Sequence, residues 1–311
     1  MNRRTLLMTA AAGSGLTAAA LRPVSAATKS QSKSPSRSSG SDASSIGTRD
    51  GTRLYCKEWG DGSPLVFVHS WALNGNMWQY QTVEFADHGL RCITYDRRGH
   101  GRSDQPSNGY DADTLADDLA MVLDTHDLTN ATLVGHSMGC GEIVRYLSRH
   151  GTQRVARIVL LSPTLPYLKQ TADNPDGIPE QAFEALRLTW RKDFPKWMAD
   201  NTAAFFTKDT SPATQQWGIA MMLPMSLPIA VACNKSMVDT DFRAELANVA
   251  TPTLLIHGDA DVSAPLALTG AKTARLIPHC EFKVYEGAPH GLFVTHTQRL
   301  NADILQFIGQ M

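Results

Sequence analysis

Ala131-Thr-Leu-Val-Gly-His-Ser-Met-Gly-Cys-Gly-Glu-Ile-Val-Arg-Tyr146 is the stretch whose reading decides the fold. It opens as a short apolar run and ends as a helical pattern with Ile143, Val144 and Leu147 on one side. Between the two lies Gly135-His136-Ser137-Met138-Gly139, a G-x-S-x-G sequence at a strand-to-helix turn. Such a turn is so tight that the residues flanking the serine must be nearly free of side chain, which accounts for the two glycines. It lifts the Ser137 hydroxyl above the sheet edge, at the positive end of the following helix. A chance glycine-serine loop would lack the strand before it and the helix after it.

Working outward, the runs at 65–68 and 157–162 predict strands buried in a sheet, and 92–95, 253–256 and 282–285 read as further strands. An Asp50-Gly51 turn between two strand-like runs is a hairpin signal. Helices are expected over 77–88, over 113–127 (Leu115, Leu119, Val122 and Leu123 on one face), over 265–276, and in a final helix carrying Leu300, Ile304, Phe307 and Ile308. Strands alternating with helices at this spacing mean an α/β protein with a mostly parallel sheet covered on both faces. Residues 163–250 break the rhythm with many prolines and with Phe183, Trp190, Trp197, Phe205, Phe206 and Trp217. They predict a helical cap over the serine that shapes an apolar pocket. Most of these side chains are expected to pack the cap onto the body, with only a few lining the cavity.

A chain of 311 residues can bury a large core, and 42% hydrophobic with 19% charged residues is an ordinary globular composition. A net charge of −1 offers no electrostatic reason to bind nucleic acid or an anionic membrane. At the N-terminus, Arg3-Arg4 precede a mild apolar run, and Val24-Ser25-Ala26 offers small residues where a signal peptidase cuts. The pattern resembles a twin-arginine export signal over 1–26, which implies a bacterial periplasmic protein. Cleavage would remove Arg3, Arg4 and Arg22 but no acid, leaving the mature chain more acidic. Residues 27–45 hold nine serines and read as a flexible spacer, with folded structure starting near Ile46. The five cysteines are scattered, and none has metal-ligand spacing.

A serine hydroxyl becomes a useful nucleophile only when a base removes its proton and an acid holds that base in one tautomer. For this turn the partners follow in the order Ser, Asp or Glu, His. His290 lies in a glycine- and proline-bounded loop just past the last strand, at the sheet edge where the serine stands. His69, His100 and His257 also follow strands and are rivals, set in turn segments expected to build the rim of the site. For the acid, Asp259 and Asp261 both follow a strand; Asp259 is placed to bond its own turn and Asp261 reaches further along the loop. The oxyanion formed on attack needs two N–H donors. The amide of Met138 is expected to be one, and that of Trp71, in the loop after the 65–68 strand, the other, with the Trp71 indole facing the pocket.

At this point the chain, over roughly 46–311, resembles the α/β-hydrolase superfamily, most of all its cofactor-free haloperoxidase, perhydrolase and aryl-esterase branch. The segments that carry the likeness are His69-Ser-Trp71, Tyr95-Asp-Arg-Arg-Gly-His-Gly-Arg-Ser-Asp-Gln-Pro106, Gly135-His-Ser-Met-Gly139, His257-Gly-Asp-Ala-Asp261, Tyr285-Glu-Gly-Ala-Pro-His-Gly-Leu292 and Leu300-Asn-Ala-Asp-Ile-Leu-Gln-Phe307. The resemblance implies an eight-stranded sheet, a core of 46–162 and 251–311, and a cap of 163–250 inserted after strand 6. It implies Ser137 as nucleophile, Asp261 as acid, His290 as base, and Trp71 and Met138 as the oxyanion hole. The chain departs from the branch at His69-Ser70-Trp71-Ala72, where His-Gly-Trp-Pro is usual, and at Cys140, where glycine is common. The expectation is a serine hydrolase of a small carboxylic ester or lactone, with metal-free perhydrolase or haloperoxidase side activity. Neither cofactor nor metal is expected, nor nucleic acid, nor a membrane once the signal is removed; an oligomer is compatible with the chain. A non-catalytic binding protein on the same scaffold is the alternative, and the intact Ser, Asp and His in order argue against it.

Overall fold

A computed structural model of the chain describes residues 44–310. The export signal expected over 1–26, and the spacer up to residue 43, lie outside the described residues. The end of that spacer already belongs to the sheet. Ser45 opens β1 (Ser45–Gly47), and the Ser44 carbonyl accepts from the Cys56 amide at 2.8 Å. Asp50 and Gly51 make the turn into β2 (Arg53–Trp59), with Gly51 at φ 87° and the Asp50 carboxylate accepting from the Thr52 amide.

The remaining strands are β3 (Ser63–Val68), β4 (Leu90–Tyr95), β5 (Ala131–His136), β6 (Val155–Leu161), β7 (Thr253–Gly258) and β8 (Glu281–Tyr285). They form one eight-stranded sheet in the order β1-β2-β4-β3-β5-β6-β7-β8. The first two strands are antiparallel additions at one edge, and β4 through β8 pair in parallel. Within the apolar runs, alternate side chains feed opposite cores. Val66, Val68, Leu133 and Leu160 face one side; Leu65, Phe67, Val134 and Leu161 face the other. The first core is closed by α2 (Ala112–Thr125), α3 (Met138–His150) and α8 (Gly270–Leu276), the second by α1 (Gln79–Asp87), α9 (Leu292–Thr295) and α10 (Thr297–Ile308). The amphipathic reading of α2 holds: Leu115, Leu119, Val122 and Leu123 are buried, and Asp111 caps the helix by accepting from the Thr114 amide at 2.9 Å. The helix expected over 265–276 starts only at Gly270. The Thr269 hydroxyl bonds the Ala264 and Pro265 carbonyls, closing a turn that does not continue into helix.

Four helices fill the span between β6 and β7: α4 (Glu180–Phe205), α5 (Pro212–Met222), α6 (Leu227–Asp239) and α7 (Arg243–Leu246). α4 is kinked at Asp193, whose backbone is extended and whose carboxylate accepts from the Lys196 amide. Pro195, unable to donate, sits in the first turn of the second segment. The parallel topology brings the loops after β3, β5, β7 and β8 to one sheet edge beneath this cap, the position where sites of open α/β sheets form. The loops after β7 and β8 are stitched together there. The Ala260 amide donates to the Ala288 carbonyl at 3.2 Å, and a Cβ on Gly258 would stand 1.9 Å from that same oxygen. A Gly258→Ala variant is therefore expected to lose about 2–3 kcal/mol in urea unfolding with an unchanged m-value. A variant as stable as the parent would show that the two loops do not meet this way.

Candidate active site

Ser137 stands between β5 and α3 with φ 56° and ψ −116°, a left-handed backbone that a non-glycine residue adopts only where its surroundings impose it. What imposes it is crowding. A Cβ on Gly139 would lie 2.5 Å from the Val68 carbonyl oxygen and 2.9 Å from that of His69; one on Gly135 would lie 2.8 Å from the Ile143 side chain. The Ser137 amide donates to the Leu161 carbonyl at 2.9 Å, tying the turn to the end of β6. Met138 is the first residue of α3, so its N–H has no acceptor within the helix. Cys140 does not compete as a nucleophile: it is fully buried, its thiol pushed up by burial and aimed at the Leu161 carbonyl.

Asp261 and His290 come together. His290 Nδ1 donates to Asp261 Oδ2 at 2.6 Å, which leaves Nε2 as the lone-pair nitrogen of the neutral ring. His290 and Ser137 line the same cavity, and Trp71 and Ser70 line it from the β3 loop. Asp261 Oδ1 accepts from the amides of Ser263 (2.9 Å) and Ala264 (2.8 Å). Burial by itself would raise its carboxyl. The charge of His290 and the hydrogen bonds from His257, His290 and Ala264 outweigh that and hold it well below the usual carboxylate range. Asp259 does not bond its own turn as expected; its carboxylate reaches across to the loop after β8 and accepts from the Gly287 amide at 2.7 Å.

The three rival histidines do not form a rim; all are fully buried. His69 takes the Arg97 amide on Nε2 at 2.8 Å and gives Nδ1–H to the Ser70 carbonyl. Burial first, then the charge of Arg97, pushes His69 well down and His100 down to about 3, so both stay neutral. His257 stands against the acid: its Nε2 lies 2.8 Å from the Ala264 carbonyl and 3.3 Å from Asp261 Oδ2. Sequence reasoning missed two further supports. His136 donates Nε2–H to the His290 carbonyl at 2.8 Å, with the two rings 4.7 Å apart, and is kept neutral by burial and by His290. Arg97, ion-paired in the interior with Glu142 of α3, donates to the His69 carbonyl at 2.6 Å and so fixes the loop that ends at Trp71. A signal for both existed, since His136 lies inside the G-x-S-x-G turn and Arg97 inside the polar loop after β4.

The Trp71 indole donates to the Ala230 carbonyl on α6 at 3.1 Å and stacks on Trp190 of α4 at 4.9 Å, tying its loop to the cap. The next residue, Ala72, has φ 64°, which a proline ring cannot adopt. From the cap, Phe205 packs its ring edge-on against His290 at 5.6 Å, and its carbonyl accepts from the Gly291 amide at 2.9 Å. The cavity enclosed in this way measures about 340 Å³. Five of the six large cap residues picked out above, Phe183, Trp190, Trp197, Phe205 and Phe206, line it, against the expectation that few would. They reach it from both sides of the kink: Phe183 and Trp190 from the segment of α4 before Asp193, Trp197 from the segment after it, and Phe205 and Phe206 from the end of the helix.

The Asp261 shift has a stability consequence. Its folded-state pKa lies below the value of about 3.9 for an unfolded aspartate, so on acidification the unfolded chain takes up the proton first. The contribution is complete above roughly pH 5 and is lost as pH falls through 4 and below. Urea unfolding at pH 6, 5, 4 and 3 should show the advantage of the parent over Asp261→Asn narrowing on the acid side; a constant gap would contradict the shift.

Comparison with known proteins places this geometry in a family. The family described as alpha/beta hydrolase fold matches residues 63–297. A non-heme chloroperoxidase of Kitasatospora aureofaciens is 42% identical over 275 residues, covering 85% of this chain and 98% of its own. A bifunctional esterase/perhydrolase of Acinetobacter calcoaceticus is 34% identical over 275 residues, covering 85% and 98%. Among solved structures, a bromoperoxidase from Bacillus anthracis superposes with a TM-score of 0.82 at 34% identity, covering 86% of this chain and 100% of that one. The tight turn at Ser137, the eight-stranded sheet and these likenesses agree: the chain belongs to the α/β-hydrolase family.

Proposed function

We propose that the protein is a serine hydrolase that cleaves a small carboxylic ester or lactone through an acyl-enzyme on Ser137. The observation that carries this reading is the Asp261–His290 pair, bonded at 2.6 Å, with its base on the same cavity as a serine held at φ 56°. His290 Nε2 takes the Ser137 proton as Oγ attacks the carbonyl carbon, and the ionised Asp261 stabilises the imidazolium that results. The amides of Trp71 and Met138 receive the tetrahedral oxyanion, the second at the positive end of α3. The intermediate collapses with His290 giving its proton to the leaving alkoxide. Water then adds to the acyl carbon with His290 as base, and the acid departs as Ser137 is re-protonated.

Hydrogen peroxide in place of water in that second half would release a peracid, which oxidises halide without a metal. The chloroperoxidase and the esterase/perhydrolase among the relatives support this as a side activity. The paired Arg3-Arg4 and the small residues at 24–26 support export by the twin-arginine route to the periplasm.

The test is hydrolysis of p-nitrophenyl esters from acetate to octanoate by the parent and by Ser137→Ala. The parent should turn over at least part of the series, and the substitution should lower kcat on the order of 10⁴-fold or more. Added peroxide, bromide and a carboxylate should give bromination that disappears in the same variant. Turnover retained in Ser137→Ala would refute the assignment of the nucleophile.

A further inference from the structure

The wall of the cavity is apolar. Among the described residues lining it, His290 alone can carry a charge. Ionised substrates would lose their hydration there without a partner, so the site suits neutral molecules. Several polar side chains on the wall are already spent inside the protein: Thr202 Oγ1 donates to the Met198 carbonyl at 2.7 Å, Thr269 Oγ1 to that of Ala264 at 3.1 Å, and Asn201 Nδ2 to that of Trp197 at 2.8 Å.

Asn234 differs from them. It lines the cavity from α6 and is only 4% exposed. Its Oδ1 accepts from Arg187 Nη1 at 3.0 Å, and Arg187, itself buried on α4, is held by Glu180 at 2.6 Å. A guanidinium carries donors only, so this contact fixes the amide's direction: the oxygen faces Arg187 and the NH₂ faces away from it. Nδ2 has no hydrogen-bond partner among the described residues, and it is not one of the polar atoms sealed off from accessible space. Asn234 also lies one helical turn after Ala230, the residue whose carbonyl holds the Trp71 indole. This is the face of α6 turned toward the loop beside Ser137.

We infer that Asn234 is a specificity-determining residue, whose NH₂ reads a second acceptor oxygen on a neutral ester or lactone. The assignment rests on the hydrolase reading above and narrows it. The substrate class becomes an uncharged ester or lactone with a keto or amide oxygen set away from the scissile carbonyl. A plain alkyl ester leaves the Asn234 donor unfilled in an apolar wall, and that deficit is the source of discrimination.

The test uses the full chain carrying Ser137→Ala, which removes turnover from the measurement. Binding of ethyl heptanoate and of its 4-, 5- and 6-oxo derivatives is followed by the fluorescence of Trp71, Trp190 and Trp197, which line the cavity. At least one oxo ester should bind about five- to tenfold more tightly than the plain ester. Adding Asn234→Asp keeps an oxygen for Arg187 and removes the donor, and the ratio should fall to about one. Asn234→Leu should abolish the ratio as well, so a poorly folded aspartate variant does not stop the test. No oxo preference in the Ser137→Ala protein, or a preference that survives both substitutions, would overturn the inference. Failure of the hydrolase reading shows separately, as absent ester turnover in the protein that retains Ser137.

Discussion

Everything at this site depends on how closely the turn carrying Ser137 passes the end of β3. Gly139 lies so near the Val68 and His69 carbonyls that a single added Cβ would reach 2.5 Å from oxygen. That approach forces Ser137 into a left-handed backbone, places the first amide of α3 beside the hydroxyl, and sets both next to the loop that carries Trp71. Strain held in this way costs on the order of 1–3 kcal/mol, and it persists because strands β3, β5 and β6 fix both ends of the turn.

Around the turn, the charges are arranged so that few side chains can change protonation near neutral pH. His69, His100 and His136 are buried and held neutral, each by desolvation reinforced by a neighbouring positive or basic group. Asp261 is held ionised, with two amides on one oxygen and two histidines near the other. Arg97 is a permanent cation inside the body, compensated by Glu142, and it grips the carbonyl of the residue where β3 gives way to the loop before Trp71. An isolated charge at such depth would be costly; paired and hydrogen-bonded, it serves as a fixed brace. The cap completes the site by touching both halves, Trp190 against Trp71 and Phe205 against His290.

Much of this was legible in the sequence, for physical reasons. Buried parallel strands must be continuously apolar, and a turn with no room for Cβ must be glycine, so the 65–68 and 131–139 segments announce themselves. His290 and Asp261 could be placed because parallel topology sends every loop after a strand to the same edge. What stayed hidden depends on which loops meet. Nothing local to His257 says that its Nε2 will lie beside Asp261, and nothing local to Arg97 says which carbonyl it will reach. The cavity lining was misjudged for a different reason. The large apolar side chains of 163–250 were visible, but whether they pack on the body or face a void is set by the kink in α4 at Asp193, which no local pattern announces. That Ser45, at the end of the serine-rich run, joins an edge strand was not legible, because that strand is held by main-chain bonds that serine makes as readily as any residue.

The central claim is that Ser137 is made nucleophilic by His290 and Asp261, and covalent chemistry tests it most directly. The parent, Ser137→Ala and His290→Gln would be incubated with a fluorophosphonate, and the modified peptide identified by mass spectrometry. The account predicts one adduct, on Ser137, formed by the parent, absent from Ser137→Ala and strongly slowed in His290→Gln. An unlabelled parent, or an adduct on another residue that persists in Ser137→Ala, would contradict it.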